Sequence, residues 1–269
     1  MKSPRHILSL SGGKDSTALA IYMRGKVPDL EYVFCDTRKE LPETYDYLNQ
    51  IEAFLGKKII RIEATRGFDH WLDRFQGFLP SMQVRWCTTY LKVKPFEDYI
   101  GDDPVINYVG LRADENRDAR ISGKPNITVV YPFKDDGVNY EGVERILKDS
   151  GIGMPPYTKW GRSRSGCYFC FFQRTIEWVR LFEAHPDLYA LAEEYETKTN
   201  EKGGTFHWNE AMSLTKLRSP ENIQKIKDRY AVYLRQRNER RPNKTLMETM
   251  AGYNPDADNE PRGCAICHL

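Results

Sequence analysis

Five short apolar runs, separated mostly by helical patterns, constrain the fold of this chain more than any other feature of its sequence. They lie at residues 6–10, 30–37, 57–64, 104–111 and 126–133, the last being a fifth strand or an extended edge. Strands that alternate with helices predict a parallel sheet covered on both faces. We therefore expect an α/β fold with a parallel five-stranded sheet and helices on both faces. Such sheets bind ligands at the carboxyl ends of their strands.

The second half of the chain carries a different pattern. Beyond about residue 140, helical patterns and loops rich in Gly, Ser and Arg replace the apolar runs. Ser219 is suited to cap a helix that begins with Pro220. The sequence thus predicts an α/β nucleotide-binding domain over residues 1–140 and a mainly helical C-terminal region with cysteine pairs over residues 141–269.

Composition limits the location and the partners of the protein. No apolar run reaches the length of about 20 residues that spans a bilayer, and the N-terminal run ends at Gly12, too early for a signal-peptide core. The sequence therefore favours a cytoplasmic protein without a membrane partner. A formal net charge of +2 gives no overall argument for a polyanionic partner, so a local basic region would have to supply one.

The first apolar run leads into the sequence Ser-Gly-Gly-Lys-Asp-Ser at residues 11–16. Two glycines between a strand and a helix let the backbone come close to a ligand and leave the first N–H groups of the helix for an anion. Lys14 adds a positive charge and the serines add hydroxyl donors. Asp15 would repel a bare phosphate, so it either caps the turn or helps to hold Mg²⁺ on the phosphates. The expected binding residues are Ser11, Gly12, Gly13, Lys14, Asp15 and Ser16.

Four segments together resemble the PP-loop ATP pyrophosphatase (adenine nucleotide α-hydrolase) superfamily and, within it, the phosphoadenosine phosphosulfate (PAPS) reductase-like branch. Residues 11–16 resemble the PP-loop, and residues 35–48 resemble the Asp-Thr…Pro-Glu-Thr-Tyr segment of the branch. Residues 85–95 and 110–120 resemble two further segments of the branch. The resemblance covers about two-thirds of the chain and implies a Rossmann-like (HUP-type) sheet with a helical C-terminal extension.

The resemblance also implies a reaction. ATP or a related adenine nucleotide binds with Mg²⁺ on the loop, and an acceptor displaces pyrophosphate at the α-phosphorus. Lys14, Asp15 and Arg112 are the residues expected to act in this step. Asp36 ends the second strand and Arg112 ends the fourth, so we expect both to contact the nucleotide at one edge of the sheet. A guanidinium group binds phosphate or sulfate oxygens through paired hydrogen bonds.

Four of the six cysteines form two C-x-x-C pairs, Cys167/Cys170 and Cys264/Cys267. Paired thiols in a reducing compartment indicate metal or redox sites. Iron–sulfur members of the branch hold a 4Fe–4S cluster with four cysteines, but Thr88 follows Cys87 where the family has its second cysteine. The resemblance then implies a cluster on Cys87, Cys167, Cys170 and Cys264. Zinc on both pairs is one alternative, and reduced thiols packed in a core are the other, which suits Cys35.

The sequence supports three functional hypotheses. The first is ATP pyrophosphatase chemistry that activates an acceptor for sulfur transfer or nucleic-acid modification, with a sulfur-donor protein as a partner, in a defence or mobile-element system. The second is reduction of a sulfonucleotide to sulfite, for which Cys264 near His268 matches the reductase nucleophile in part. The third is a nucleotide-binding accessory protein with weak or no turnover.

A basic patch near the C-terminus raises tRNA or DNA as a partner. Its cationic residues are Lys225, Lys227, Arg229, Arg235, Arg237, Arg240, Arg241 and Lys244. Tyr230 and Tyr233 lie among them, as expected for a nucleic-acid face. A solvated helix whose charges are balanced by nearby acids is the alternative interpretation.

Overall fold

The N-terminal half of the chain forms the parallel five-stranded sheet that the apolar runs predict. The structure is a computed structural model that describes residues 3–116, 122–201, 206–209 and 211–238. Its strands are β1 (Arg5–Ser9), β2 (Glu31–Asp36), β3 (Ile59–Glu63), β4 (Val105–Tyr108) and β5 (Ile127–Val130). They pair in the order β3-β2-β1-β4-β5, and every pair is parallel. The carboxyl end of β1 is therefore central at the edge where doubly wound sheets bind ligands.

Helices connect the strands and continue the chain beyond the sheet. They are α1 (Lys14–Met23), α2 (Pro42–Leu55), α3 (Phe68–Arg74), α4 (Trp86–Thr88), α5 (Lys94–Ile100), α6 (Pro132–Asp135), α7 (Tyr140–Asp149), α8 (Thr175–Ala184), α9 (Pro186–Glu201), α10 (Leu214–Leu217) and α11 (Pro220–Asn238). A π-helical turn covers Thr89–Val93 and a 3-10 helix covers Pro156–Trp160. Within the described parts of the chain, no helix combines the length and apolar character needed to cross a membrane.

The sheet contributes alternate side chains to two cores. On one face, Leu8, Tyr32 and Phe34 pack with buried residues of α1, α2 and α7. On the other face, Ile7 and Val33 pack with buried residues of α5. Successive residues of a strand point to opposite faces, so a strand that is covered on both faces is apolar throughout. The central strand β2 is accordingly buried over most of its length, whereas Arg61 and Glu63 of the edge strand β3 are exposed. The packing confirms the prediction of helices on both faces of the sheet.

The described residues fall into two compact units. The first contains residues 3–75 and the described part of 84–167, and the second contains residues 76–83 and the described part of 168–238. The first unit extends past residue 140 because α7 packs on the sheet core beside α1. The second unit contains α8 to α11 and is the predicted helical extension. The domain boundary at residue 140 stays a prediction.

Aromatic side chains and one buried carboxylate organise the second unit. Trp178, Tyr189 and Trp208 are buried. Glu196, which is 2% exposed, accepts hydrogen bonds from the backbone N–H groups of Trp208 (2.9 Å) and Leu214 (2.6 Å). Burial raises the pKa of Glu196 above its ordinary value, although both backbone donors act in the opposite direction. The carboxylate ties α9 to the start of α10, which is a structural role.

Candidate functional site

The segment between β1 and α1 forms a tight turn that we call the glycine loop, residues 11–16. Gly12 has a φ of +68°, in the left-handed region that favours glycine. Gly13 caps α1 without any side-chain hydrogen bond. A Cβ on Gly12 would lie 2.9 Å from Thr44 Cγ2, and a Cβ on Gly13 would lie 3.0 Å from Ser165 Oγ. Both positions therefore favour glycine, and the N-cap residue Gly13 offers no side-chain acceptor to the first N–H groups of α1.

Three buried serine hydroxyl groups line the glycine loop. Ser16 Oγ accepts a hydrogen bond from the Ser11 N–H (3.2 Å) and donates to the Gly13 carbonyl oxygen (3.1 Å). Ser11 Oγ lies 3.1 Å from Ser16 Oγ, and Ser165 Oγ donates to Ser11 Oγ at 3.4 Å. The structure thus brings the predicted Ser11 and Ser16 together and adds Ser165, which the sequence analysis missed. Its only signal in the sequence was its position next to Arg164, shortly before the first cysteine pair.

Gly110 lets the segment after β4 approach the first turn of α1. A Cβ on Gly110 would lie 2.8 Å from the carbonyl oxygen of Asp15 and 3.0 Å from its carbonyl carbon. These are backbone atoms, which cannot move aside as the end of a flexible side chain can, so a larger residue would displace the start of α1. The close approach leaves Arg112, two residues later, beside the glycine loop.

Lys14, Asp15 and Arg112 form a cluster of charges at this turn. Arg112 Nη1 donates to Asp15 Oδ1 at 2.9 Å, and Lys14 Nζ lies 3.7 Å from Asp15 Oδ2. The Tyr140 ring flanks both cations, with its centroid 5.7 Å from Lys14 Nζ and 5.4 Å from Arg112 Cζ. Asp15 therefore pairs with cations in the first turn of α1, where a carboxylate is favourable, and does not cap the turn. The role in holding Mg²⁺ stays a prediction.

Carboxylates keep Arg112 charged. Burial alone would lower the pKa of Arg112, but Asp15 and Asp114 outweigh burial and raise that pKa above its ordinary value. Burial alone would raise the pKa of Asp114, and Arg112, whose Nε donates to Asp114 Oδ1 at 2.9 Å, lowers it. Glu115 lies 3.7 Å from Arg112 Nη2. A polyanion that binds Arg112 would therefore have to replace one of these carboxylates. The side chain of Asp114 is exposed to solvent, so it is the carboxylate that can turn away from Arg112.

The carboxyl end of β2 carries a second turn, residues 36–40, which we call the acidic turn. Asp36 is 8% exposed, and its Oδ1 accepts hydrogen bonds from the Arg38 N–H (2.7 Å) and the Tyr45 hydroxyl (2.7 Å). Arg38 has a φ of +56°, and the Asp36 side chain stabilises this turn from within. Burial and the bond to Asp36 both raise the pKa of Tyr45 above its ordinary value. Asp36 thus lies at the predicted edge, and its contact with a nucleotide stays a prediction.

Cys167 lies against the acidic turn. Its Sγ is 3.2 Å from Thr37 Oγ1 and 3.9 Å from Glu40 Oε1, and Thr37 donates to the same Glu40 oxygen at 3.0 Å. Glu40 and Cys167 also form an isolated antiparallel backbone bridge. Glu40 Oε2 is buried and has no hydrogen-bond partner among the described residues. No role for Thr37 or Glu40 is predictable from the sequence, because only the path of a distant segment brings a thiol to them.

A buried arginine orders residues 162–167, which we call the bridging segment. Arg162 is 1% exposed and donates from Nε to the carbonyl oxygen of Arg164 at 3.1 Å. Its Nη2 donates to the carbonyl oxygens of Gly166 (3.2 Å) and Cys167 (2.7 Å). Arg162 therefore holds the backbone of the bridging segment. Within this segment, Ser165 contacts the glycine loop and Cys167 contacts the acidic turn.

Three of the four predicted cluster ligands lie within the described residues. Cys87 lies in α4, Cys167 belongs to the first unit and Cys170 to the second. In the part of the chain that the structure describes, no three His, Cys, Asp or Glu side chains are grouped to hold a metal ion. Cys35 is fully buried, and burial raises the pKa of its thiol to about 12, as expected for a core residue. Outside the described residues lie Cys264, Cys267 and His268. The described thiols do not form a cluster site by themselves, and both metal assignments stay predictions.

Part of the basic patch is already paired with acids. Lys225 and Lys227 of α11 form ion pairs with glutamates. The ring centroid of Tyr230 lies 4.9 Å from Cζ of Arg180. Such pairing favours the solvated-helix interpretation for this part of the patch. Outside the described side chains lie Arg237, Arg240, Arg241 and Lys244. A tRNA or DNA partner stays a prediction.

Sequence comparison gives relatives in an archaeon and in phages. Residues 5–127 match the family model of the phosphoadenosine phosphosulfate reductase domain. Two uncharacterized proteins of Methanocaldococcus jannaschii are each 27% identical to this chain, with matches that cover 67% and 72% of this chain and 45% and 42% of the relatives. An uncharacterized protein of Escherichia phage 186 is 28% identical, over 72% of this chain and 75% of the relative. The chain thus spans less than half the length of the two archaeal relatives.

Comparison with solved structures supports the fold. A phosphoadenylyl-sulfate (PAPS) reductase from Candida auris matches with a TM-score of 0.50 and 14% identity, over 62% of this chain and 82% of that chain. At this identity the likeness concerns the fold. The parallel strand order and the glycine loop after β1 agree with the family match over residues 5–127. Residues 5–127 of this chain are therefore similar to the PAPS reductase domain in sequence, and the α/β part shares its fold.

Proposed function

We propose that the protein binds ATP with Mg²⁺ on the glycine loop and cleaves it at the α-phosphorus. An acceptor atom attacks that phosphorus, the bond to the bridging oxygen of the β-phosphate breaks, and pyrophosphate leaves with the electron pair. The acceptor becomes adenylylated. The observation that carries this proposal is the glycine loop itself, in which a glycine N-cap of α1, serine hydroxyl groups and Lys14 lie in one turn. This donor set suits a diphosphate leaving group.

Four charged residues at the strand ends have separate roles in this reaction. Lys14 and the backbone N–H groups stabilise the leaving pyrophosphate, and Mg²⁺ would offset its charge with Asp15 as the protein ligand. Arg112 binds phosphate oxygens once the nucleotide takes the place of Asp114. Asp36, which is buried at the end of the neighbouring strand, suits a hydroxyl group of the nucleoside. The four side chains thereby hold the nucleotide across the ends of β1, β2 and β4.

We further propose that the adenylylated acceptor then receives sulfur. A sulfur nucleophile from a donor protein displaces AMP from the acceptor, so that the energy of ATP is used to replace a poor leaving group. We propose a nucleic acid as the acceptor, with a contact surface other than Lys225 and Lys227, which are paired with glutamates. Similarity to proteins of Escherichia phages 186 and lambda supports a role in a mobile element or in defence against one.

ATP labelled at the α-phosphate tests this proposal. We expect the label in AMP or in an adenylylated acceptor, with unlabelled pyrophosphate as the second product. Label in ADP, with release of phosphate, would contradict cleavage at the α-phosphorus. The Lys14→Met variant should lower the rate by about 100-fold, since a preorganised cation contributes several kcal/mol to the transition state. Lys58→Met, at an exposed position beside β3, is the matched control and should keep the wild-type rate.

Reduction of a sulfonucleotide is the second candidate, favoured by the family match over residues 5–127. In that reaction a cysteine thiolate attacks the sulfur of PAPS and takes up the sulfonate, and adenosine bisphosphate leaves. A second thiol then attacks the cysteine sulfur, which releases sulfite and leaves a disulfide. Sulfite formed from PAPS with an added thiol, in the absence of ATP cleavage, would favour this reaction. Nucleotide binding with neither product would favour an accessory protein.

A further inference from the structure

The bridging segment packs a serine against the glycine loop. Ser165 Oγ lies 3.4 Å from Ser11 Oγ, and it occupies the space that a side chain at Gly13 would need, 3.0 Å from an ideal Cβ. Ser165 is only 7% exposed. The glycine loop is therefore covered on this side by a hydroxyl group, although the residue is 154 positions away from Ser11 in the chain.

We propose that Ser165 is a ligand of the diphosphate, so that the bridging segment forms the second wall of the phosphate site. This inference rests on the proposed function, in which the diphosphate of the nucleotide lies on the glycine loop. Hydroxyl–hydroxyl hydrogen bonds are usually about 2.7 Å long. The 3.4 Å contact of Ser165 with Ser11 is long, so the hydroxyl group loses little when it turns to a new acceptor. A charged phosphate oxygen is a stronger acceptor than a neutral hydroxyl oxygen.

Backbone contacts hold the bridging segment in place for this role. Lys14 Nζ donates to the carbonyl oxygen of Ser163 at 3.4 Å, which joins the segment to the cation of the loop. Arg162 donates to the carbonyl oxygens of Arg164 and Gly166. These bonds end on main-chain oxygens, so they survive when a serine side chain is shortened. Removing the hydroxyl group of Ser165 therefore leaves these anchors of the segment intact.

The test compares the full-length protein with its Ser165→Ala variant by titration calorimetry. The probes are inorganic pyrophosphate and ATP, both with Mg²⁺, and AMP, which lacks the diphosphate. We expect the dissociation constants of pyrophosphate and ATP to rise about tenfold, the usual loss for one hydrogen bond to a charged group, while that of AMP stays unchanged. Ser3→Ala, at an exposed position before β1, is the control; its affinities should stay within about twofold. Urea unfolding checks that both variants have the stability of the wild type.

Other outcomes separate this inference from the function on which it rests. If the wild type binds pyrophosphate and the Ser165→Ala variant binds it equally well, Ser165 is not a ligand, while the proposed function stands. A loss of the same size for AMP as for pyrophosphate also overturns the inference, because it marks a structural role. If the wild type binds neither pyrophosphate nor ATP, the proposed function fails, and the role of Ser165 fails with it.

Discussion

The glycine loop after β1 and the acidic turn after β2 follow neighbouring strands of one sheet, yet their hydrogen-bonding groups differ. In the glycine loop, side chains are absent where a helix cap would be, and backbone N–H groups and hydroxyl groups remain as donors. In the acidic turn, Asp36 and Glu40 act as acceptors, and Asp36 binds the backbone of its own turn. The sheet edge therefore supplies the position, and the turn residues decide the charge that each strand end can bind.

The bridging segment contacts both turns, with Ser165 at the glycine loop and Cys167 at the acidic turn. Loss of the Arg162 side chain, which holds the backbone of this segment, therefore disturbs both turns, whereas a substitution next to one turn disturbs that turn alone. If the two turns have separate roles, their variants should also differ in which part of a nucleotide they fail to bind.

Loss of the Arg162 side chain should have the largest effect. In the Arg162→Met variant, the carbonyl oxygens of Arg164, Gly166 and Cys167 lose their donor in a buried environment. We expect the free energy of unfolding to fall by about 3 kcal/mol, measured in urea. The affinities for pyrophosphate and for AMP should both decrease, because both turns lose a neighbour.

Arg145→Met is the control for this substitution. Arg145 is exposed on α7, so the same change in size and charge should alter the free energy of unfolding by less than about 0.5 kcal/mol. If the Arg162→Met variant were as stable as this control, the bridging segment would have to be held by other contacts.

A side chain at Gly110 should disturb the glycine loop alone. In the Gly110→Ala variant, the new Cβ meets the carbonyl group of Asp15 and displaces the start of α1. We expect a loss of about 2 kcal/mol in unfolding free energy and weaker binding of pyrophosphate. Gly123→Ala is the matched control, because no atom lies within 4 Å of its added Cβ. Equal stability of the two variants would show that the first turn of α1 can move without cost.

The smallest effect is expected at the acidic turn. Tyr45→Phe removes one of two donors to Asp36 Oδ1, and should lower the unfolding free energy by about 1 kcal/mol. Tyr22→Phe is a matched control, since the Tyr22 hydroxyl donates to Asp136 at an exposed site and should contribute less. Calorimetry with AMP and pyrophosphate should find a weaker affinity for AMP only. A loss for pyrophosphate alone would contradict separate roles for the two turns.

The sheet, its parallel pairing and the glycine loop are predictable from the order of residues alone. Strands that are covered on both faces are rich in apolar residues, and two glycines between a strand and a helix favour a tight turn. These are local requirements of backbone geometry and burial, so a short window of residues carries them. Pro220 at the start of α11 is a further example, because its fixed φ and missing N–H suit only the first turn of a helix.

Which distant side chains meet at the strand ends is known from the folded chain and not from any local pattern. Arg112 pairs with Asp15 across 97 positions, and Ser165 reaches Ser11 across 154. Glu40 likewise gains its contact with Cys167 from the path of the bridging segment. No local pattern records such pairs, because they depend on how loops between packed elements close and on the space that a missing side chain leaves, as at Gly110 and Gly13.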